Sequence, residues 1–406
     1  MRDAFVGLDL GTTSIKAVAF DQDDRELAQA TVRTPTHPVS TGAQYDAEEL
    51  WDAACSVLRS VTESLRQAGY AAVGIATASM GESGVLVDVH GRPVLPVIAW
   101  FDRRTETQVA DWLDVIGPEP TVRIGGVPPR AVFGAMKMQW TRDNEPEAWK
   151  RGRRWLNMAD WAAFRLTGEM ATDYSLASRT MLFDVARRCW SDDLLDAAGL
   201  SVDRLCPVVQ SGSAVGSVTA DAAEATGLPA GCVVGAGGQD HVCAALALGV
   251  TEPAMLLDSI GTAEAFFLVT DGFDASGRLA AAAVGQGVHV EPGRTYAMTG
   301  LQQGGGRIDA RRRALGMAWD DFLATSQAAA VVHDVAQDGE RRIAEMLDAA
   351  GVSSVRHLAT GGGSRNDQLI AAKRSISGRD IEVAEQTQAT ALGAAILGRR
   401  ASASPR

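Results

Sequence analysis

A strand–turn–strand pattern occurs twice in this chain of 406 residues, and it constrains the fold more than any other feature of the sequence. In the first copy, apolar runs at 4–10 and 15–20 flank the turn Gly11-Thr12-Thr13. In the second copy, runs at 254–259 and 263–269 flank Gly261-Thr262, 250 residues further along. Apolar runs bounded by turn residues are typical of β-strands. The repeat therefore predicts two domains of like topology, each of which presents a Gly-Thr turn to one ligand.

The segments around these two copies complete an α/β pattern. Glu26 to Val32 extends the first copy to a three-strand meander, and Asp46 with Glu49 begins a helix that Gly69 ends. Further strands are predicted at 72–76, 84–89, 232–236 and 355–359, and further helices at 327–350 and 389–397. We place the domains at 1–248 and 249–398, followed by a basic tail at 399–406 that we expect to be frayed.

Composition and charge limit the class of protein. Apolar residues make up 46% of the chain and charged residues 22%, so the chain can bury a large core. Its net charge of −12 disfavours nucleic acid or an anionic membrane as a main partner. The five cysteines are scattered without a CxxC spacing, and no signal segment or apolar run of membrane-spanning length is present. We therefore expect a cytoplasmic protein without disulfides or membrane helices.

The first Gly-Thr turn carries side chains that suit a polyphosphate ligand. Gly11 permits close approach, Thr12 and Thr13 add hydroxyl donors, and backbone N–H groups in such a turn point at an anion. Asp9 is an oxygen ligand suited to Mg²⁺, and Lys16 completes the motif. A polar hairpin turn without a binding role is the alternative, and the repeat at Gly261-Thr262 favours function over it.

Two later motifs place glycines between a strand and a helix. Gly237-Gly238-Gln239-Asp240 holds a carboxylate that could take a proton from a hydroxyl attacking phosphorus. Taken alone, however, Asp240 is more simply interpreted as the cap of the next helix. Gly361-Gly362-Gly363 resembles a nucleotide loop, but it is neither a P-loop nor GxGxxG, so by itself it is weak evidence.

In their order along the chain, these motifs resemble the FGGY carbohydrate kinases of the actin and hexokinase superfamily. The resemblance covers nearly the whole sequence, including residues 165–178 and 389–393. It implies two ribonuclease-H-like α/β domains with an interdomain cleft, the N-terminal domain binding sugar and the shortened C-terminal domain binding nucleotide. It also implies an enzyme that transfers the γ-phosphoryl group of ATP, with Mg²⁺, to a hydroxyl of a small sugar or polyol. We expect Asp9 and Asp240 to face each other across the gap between the domains.

The resemblance assigns a role to each candidate residue. Asp240 would be the general base on the sugar hydroxyl, and Asp9 would hold Mg²⁺. The residues expected to contact the sugar are Glu82, Trp100, Asp102 and His241. Those expected to contact ATP are Gly11, Thr12, Thr13, Lys16, Gly261, Thr262, Gly305, Gly362, Gly363 and Asn366.

The substrate stays open at this stage. Glu82 resembles polyol kinases such as the glycerol kinases, where xylulose kinases carry a histidine, whereas Asp102 resembles the sugar kinases. His241 replaces the amide or small residue usual after the catalytic acid, with a helix residue bonded to nearby backbone as the alternative. A xylulose-like ketopentose is our first expectation, and erythritol, glycerol and gluconate are the alternatives.

The C-terminal domain is shorter than is usual in the family. The chain passes almost directly from Trp319 to the helix at Gln327, and the segment that relatives carry there is missing. A second hypothesis is therefore a catalytically weak sensor that binds sugar or nucleotide, although the presence of both Asp9 and Asp240 argues against it. The sequence leaves a homodimer open.

Overall fold

The structure is a computed structural model that describes residues 1–403, and these residues divide into two compact units. Unit 1 comprises Met1–Ala247, Val288–Gly293 and residues 388–403. Unit 2 comprises Leu248–Gly287 and Arg294–Thr387. Over the described part of the chain, no helix is both long and apolar enough to cross a bilayer.

The strands of residues 1–403 are numbered in chain order. They are β1 (Arg2–Leu10), β2 (Ser14–Phe20), β3 (Glu26–Arg33), β4 (His37–Val39), β5 (Gly42–Tyr45), β6 (Tyr70–Ser79), β7 (Gly84–Val87), β8 (Val97–Ile98), β9 (Arg154–Asn157), β10 (Thr172–Asp173), β11 (Phe183–Asp184), β12 (Cys189–Trp190), β13 (Val208–Val209), β14 (Ala214–Ser217), β15 (Val233–Gln239), β16 (Met255–Ile260), β17 (Glu264–Thr270), β18 (Gly285–Val288), β19 (Thr295–Leu301), β20 (Arg356–Thr360) and β21 (Ile381–Val383).

The α-helices of the same residues follow the same convention. They are α1 (Ala47–Gln67), α2 (Glu106–Val115), α3 (Gly134–Asn144), α4 (Pro146–Arg151), α5 (Met158–Thr167), α6 (Tyr174–Ser178), α7 (Asp192–Ala198), α8 (Ala220–Thr226), α9 (Asp240–Ala247), α10 (Arg278–Ala281), α11 (Gly305–Ala314), α12 (Trp319–Leu323), α13 (Ser326–Ala350), α14 (Asp367–Ser377) and α15 (Ala389–Ala403).

Each unit is built on a six-stranded sheet, and five strands of each sheet share one order. In unit 1 the order is β14-β15-β6-β1-β2-β3, with β1, β2 and β3 antiparallel and with β6 and β15 parallel to β1. In unit 2 the order is β18-β19-β17-β16-β20-β21, with the same pattern of antiparallel and parallel pairs. Five strands of each sheet thus follow the order 3-2-1-4-5 of a ribonuclease-H-like domain. The predicted fold class, two α/β domains of like topology, is confirmed.

Local sequence accounts for the elements that frame the site. The carboxylate of Asp46 accepts hydrogen bonds from the backbone N–H groups of Glu48 and Glu49, and thereby caps α1. The helix ends before Gly69, whose positive φ of 77° an L side chain rarely adopts. The apolar face of α1 packs on the sheet of unit 1, which places the core of that unit beneath β1 and β2.

The last helix differs from the prediction for the tail. We expected residues 399–406 to be frayed, but α15 continues to Ala403, and Ala401 is buried. Residues 404–406 lie outside the described residues. The helix also belongs to unit 1 rather than to the domain at 249–398, because it packs on β1, β6 and β15.

Candidate active site

Two carboxylates lie along one edge of the unit 1 sheet, the edge formed by the C-terminal ends of β1, β6 and β15. Asp9 pairs with Ala78 near the end of β1, while Gln239, at the end of β15, pairs with Ser79. Asp240 follows Gln239 directly, so Asp9 and Asp240 are separated by two strand spacings, about 10 Å. Both residues belong to unit 1.

The two carboxylates affect each other's ionisation. Burial raises the pKa of Asp9 to about 7, with the charge of Asp240 adding to the effect and Lys16 opposing it. Desolvation likewise raises the pKa of Asp240, while His241 lowers it and the charge of Glu82 raises it. Two like charges close together in a partly desolvated site are common at functional sites. Such a pair is stabilised by a bound cation or by a proton on one of the two groups.

Asp9 has a feature that suits its predicted role as a metal ligand. Its Oδ1 atom is buried and has no hydrogen-bond partner. A buried carboxylate oxygen without a donor is costly, and a divalent cation coordinated by oxygen atoms would satisfy it. The residues at this edge therefore fit Mg²⁺.

Gln239 leaves Asp240 free of the capping role that was the simpler interpretation of the sequence. The side-chain oxygen of Gln239 accepts a hydrogen bond from the N–H of Val242, the usual bond of a helix cap. Asp240 Oδ1 instead accepts bonds from Gln239 Nε2 at 2.6 Å and from the N–H of His241 at 2.7 Å. These two donors hold one oxygen of Asp240 in place and orient the carboxylate.

The first Gly-Thr turn is held by its neighbours in unit 1. Thr34 Oγ1 donates to the carbonyl of Gly11 at 2.7 Å, and Trp100 Nε1 donates to Thr12 Oγ1 at 2.9 Å. Thr13 is exposed, and Lys16 Nζ donates to Gln388 Oε1 at 2.7 Å. The structure thus brings Trp100, predicted to contact the sugar, against the turn predicted to contact phosphate.

The two acidic residues predicted to contact the sugar both form buried ion pairs. Arg179 Nε and Nη2 donate to Glu82 Oε1 at 2.7 and 2.5 Å. Arg104 donates two hydrogen bonds to the Asp102 carboxylate, from Nε at 2.9 Å and from Nη2 at 3.0 Å. Burial raises the pKa of Asp102, but the hydrogen bonds from Arg104 outweigh it and hold the pKa below its usual value. Each carboxylate therefore fixes the position of a guanidinium group, a group whose N–H donors suit hydroxyl oxygens.

Sequence reasoning missed two cations of this group, Arg179 and Lys137. Arg179 follows directly on the stretch at 165–178 used for the family resemblance, but nothing in the spacing relates it to Glu82, 97 residues away. Lys137, on α3, is fully buried and donates to the carbonyl of Val132. Burial lowers its pKa to about 7, against the charges of Glu82 and Asp102.

Close packing brings the Glu82 segment close to Gln239 and Asp240. A Cβ atom on Gly81 would lie 2.8 Å from Gln239 Cγ and 3.2 Å from Arg179 Cγ. Only glycine therefore lets this segment pass so near to Gln239 and its neighbour Asp240. His241, half-buried at the start of α9, lies beside the same carboxylate.

Unit 2 contains a cavity of about 480 Å³, within the range typical of small-molecule sites. Six of the ten residues predicted to contact ATP line it: Gly261, Thr262, Gly305, Gly362, Gly363 and Asn366. The other residues of its lining that carry a ring or a charge were not among those predicted to contact ATP: Asp309, Arg313, Trp319 and Arg365. The cavity joins glycine-rich backbone to an aromatic ring and two guanidinium groups, a combination that fits a nucleotide.

Three loops form the walls of this cavity, and close backbone contacts hold them together. The N–H groups of Gly305 and Gly306 donate to the carbonyls of Gly261 and Thr262 at 3.1 and 3.0 Å. A Cβ atom on Gly305 would lie 2.6 Å from the Gly261 carbonyl oxygen. The third loop ends at Asn366, which caps α14 by accepting bonds from the N–H groups of Gln368 and Leu369.

Family models account for nearly the whole chain. The N-terminal domain of the FGGY family of carbohydrate kinases matches residues 4–247, and the C-terminal domain of that family matches residues 259–402. The first match lies within the stretch 1–248, whereas the second extends four residues beyond the predicted domain end at 398.

Individual relatives support the same assignment. A xylulose kinase of Escherichia coli (strain K12) is 30% identical over 66% of this chain and 55% of its own length. An autoinducer-2 kinase of Yersinia enterocolitica is 31% identical over 62% of this chain and 48% of its own length. The chain therefore spans about half the length of the curated relatives that it matches.

A solved structure shares the fold. The crystal structure of a xylulose kinase from Rhodospirillum rubrum has a TM-score of 0.90 to this chain at 23% identity, covering 98% of this chain and 90% of that one. With both family models matched in order, the chain belongs to the FGGY family of carbohydrate kinases.

Proposed function

We propose that this protein is an ATP-dependent kinase that phosphorylates a hydroxyl group of a small sugar or polyol. The observation that carries the proposal is the pair Asp9 and Asp240 at one sheet edge of unit 1. One carboxylate in such a pair suits a cation and the other suits a proton, as phosphoryl transfer requires. The cavity of unit 2 supplies a place for the adenosine part of ATP.

In this proposal Asp240 acts as the general base. It takes the proton from the substrate hydroxyl as that oxygen forms a bond to the γ-phosphorus and the bond from phosphorus to the ADP oxygen breaks. A raised pKa makes Asp240 a stronger base near neutral pH than an ordinary aspartate. Asp9 would hold Mg²⁺, which when bound neutralises charge on the phosphate oxygens.

The residues around Glu82 would orient the sugar. Arg104 and Arg179 are held by Asp102 and Glu82, so their guanidinium groups are fixed in direction before a substrate arrives. Trp100, beside the Gly11-Thr12 turn, and His241, beside Asp240, would complete the set of residues that contact the sugar. Every donor and acceptor here suits hydroxyl groups, which favours a polyhydroxylated substrate.

A xylulose-like ketopentose is the substrate we propose first, because relatives named xylulose kinase recur among the similar proteins. The substrate of the autoinducer-2 kinases is the second candidate, on the strength of 31–32% identity. Erythritol, glycerol and gluconate remain alternatives.

A coupled assay for ADP release, run over a panel of these compounds with Mg²⁺ and ATP, tests the proposal. We expect release that depends on one of them, and a loss of about 10²–10⁴-fold in kcat for Asp240→Asn. Unchanged turnover in Asp240→Asn would remove the assigned base. Calorimetric sugar binding without turnover over the whole panel would instead indicate a sensor.

A further inference from the structure

Three buried charged side chains of unit 2 have no part in the proposed transfer. Asp258 on β16, Glu264 at the start of β17 and Lys373 on α14 are all fully buried at their side chains. Lys373 Nζ donates to Asp258 Oδ2 at 2.8 Å and also to Glu264 Oε1. We call these three residues the Lys373 triad. Burying charge is costly even when it is paired, so a triad in the core calls for a role beyond packing.

Two walls of the nucleotide cavity are joined by this triad. Glu264 follows the turn Gly261-Thr262 by two residues on the same hairpin. Lys373 lies on α14, the helix that begins directly after the loop ending at Asn366. The contact between Lys373 and Glu264 therefore links β17, which follows the Gly261-Thr262 turn, to α14, which follows the loop ending at Asn366.

The remaining wall of the cavity, the loop at 304–306, packs against Glu264 itself. A Cβ atom on Gly304 would lie 2.6 Å from Glu264 Cβ and 2.8 Å from Glu264 Oε2. Gly304 precedes Gly305 and Gly306, whose N–H groups donate to the carbonyls of the Gly261-Thr262 turn. Glu264 thus lies directly beneath the loop at 304–306.

The charges of the triad nearly balance. Burial raises the pKa of Glu264 to about 8, with the charge of Asp258 adding and Lys373 opposing. A protonated Glu264 leaves one anion, Asp258, for one cation, Lys373. Further titratable groups face them from neighbouring elements: His357 on β20, with Nε2 3.7 Å from Asp258, and the Glu340–Arg379 pair.

We infer that the Lys373 triad positions the three walls of the nucleotide cavity relative to one another. It touches no ligand. It acts by fixing the spacing between the Gly261-Thr262 turn, the loop at 304–306 and the start of α14. The inference rests on the proposed function, because it takes a nucleotide as the ligand of the cavity.

Variants of Glu264 separate this role from packing alone. Glu264→Leu removes the link and leaves the pair of Lys373 with Asp258 intact. Glu264→Gln keeps the shape and an oxygen that accepts from Lys373, so it should restore the wild-type behaviour. As a matched control, Gln286→Leu removes a buried polar side chain from the same unit, one that bonds to the backbone of Asp274 and does not line the cavity.

Binding of MgADP is measured by titration calorimetry and by the fluorescence of Trp319, which lines the cavity. We expect Glu264→Leu to weaken the affinity about 10-fold or more, because loosened walls no longer match the ligand. Glu264→Gln and Gln286→Leu should stay within about 3-fold of wild type. In steady-state assays, the KM for ATP should rise in Glu264→Leu while the KM for sugar stays unchanged.

A folded Glu264→Leu protein that binds MgADP like wild type would overturn the inference. If circular dichroism shows that Glu264→Leu does not fold, Lys373→Arg takes its place, because it keeps the charge and changes the spacing. A folded Lys373→Arg protein is expected to lose affinity, and wild-type affinity in that variant would overturn the inference. Failure of the wild-type protein to bind MgADP would overturn the nucleotide site of the proposed function, a result distinct from either variant outcome.

Discussion

Asp9 holds its proton at a higher pH than an ordinary aspartate does, and the reason lies in its surroundings. Its carboxylate is desolvated and lies near Asp240, which together raise its pKa to about 7. In the unfolded chain the same group loses its proton near pH 4. Between these two values the folded protein binds a proton that the unfolded chain has lost. Asp9 therefore contributes stability below about pH 4, and that contribution is lost as the pH rises through about 7.

Substitution of Asp9 by Asn should remove this pH dependence. In the absence of divalent metal, we expect Asp9→Asn to melt roughly 3 °C or more above wild type at pH 8, and to show only about a third of that difference at pH 5. Thermal melts in EDTA over pH 5–8 measure this difference. Asp23→Asn, on the exposed turn after β2, serves as the control and should follow wild type at every pH. An equal shift at pH 5 and pH 8 would contradict the assignment.

Which site residues could be predicted depended on whether their signal was local. Asp9 and Asp240 stand beside glycines within short motifs, so their type and position were readable. Arg179 and Lys137 gain their importance from Glu82 and Asp102, which lie far away in sequence. No periodicity encodes such pairs, because they form only when separate elements are packed together.

At the scale of elements, α15 packs unusually close to its neighbours in unit 1. A Cβ atom on Gly393 would lie 1.9 Å from the carbonyl oxygen of Cys243 on α9. One on Gly7 of β1 would lie 1.7 Å from the carbonyl oxygen of Ala391. Glycine on either side of these contacts allows backbone to meet backbone, so α15 fixes both the strand of Asp9 and the helix that Asp240 begins.

Gly393→Ala is expected to disturb both stability and activity. Alanine usually stabilises a helix relative to glycine, but here the added methyl group must displace α9. We expect a loss of about 3 kcal/mol in the free energy of unfolding and a lower kcat, since Asp240 moves with α9. Urea denaturation and the ADP-release assay measure the two effects. Ser402→Ala, on the same helix, should change neither by much, and a Gly393→Ala protein as stable as wild type would refute the close contact.

The elements that the sequence predicted correctly have simple local patterns. The strands β1 to β3 and helix α1 show alternation, helical spacing or a cap that can be read directly. Strand β19 was missed, because Gly300 interrupts its pattern; a Cβ atom there would lie 2.2 Å from the carbonyl oxygen of Glu264. The end of α15 was missed because its small and basic residues resemble a tail until Ala401 is seen to be buried.

At the scale of the whole molecule, the two units repeat one strand order but differ in the residues beside their Gly-Thr turns. Asp9 of β1 has Ser259 of β16 as its counterpart at the 250-residue offset, so unit 2 keeps the turn but lacks the acid. The repeat predicted the two domains, whereas the return of residues 288–293 and 388–403 to unit 1 has no signal in the sequence.

Binding of nucleotide should stabilise the protein by an amount that grows with the logarithm of the nucleotide concentration. At MgADP concentrations near 100 times Kd, we expect about 2.7 kcal/mol of stabilisation and a rise in Tm. Trp319→Ala should reduce the rise, because it removes the ring that lines the cavity of unit 2. Trp149→Ala is the matched control, since Trp149 of unit 1 also carries a stacked guanidinium, that of Arg204 at 4.1 Å. Differential scanning fluorimetry measures both, and an equal loss of the MgADP shift in the two variants would argue against the cavity as the binding site.

The placement of α15 has a consequence for how this protein is made. The helix covers Phe5, Val18 and Phe20 of the first strands, yet a ribosome completes it about 150 residues after β15. At roughly 5–20 residues per second, that interval is on the order of ten seconds or more. During this time an apolar face of the unit 1 sheet would stay exposed to other chains. The synthesis of this protein should therefore depend on chaperones more than that of a domain whose segments emerge in one uninterrupted stretch.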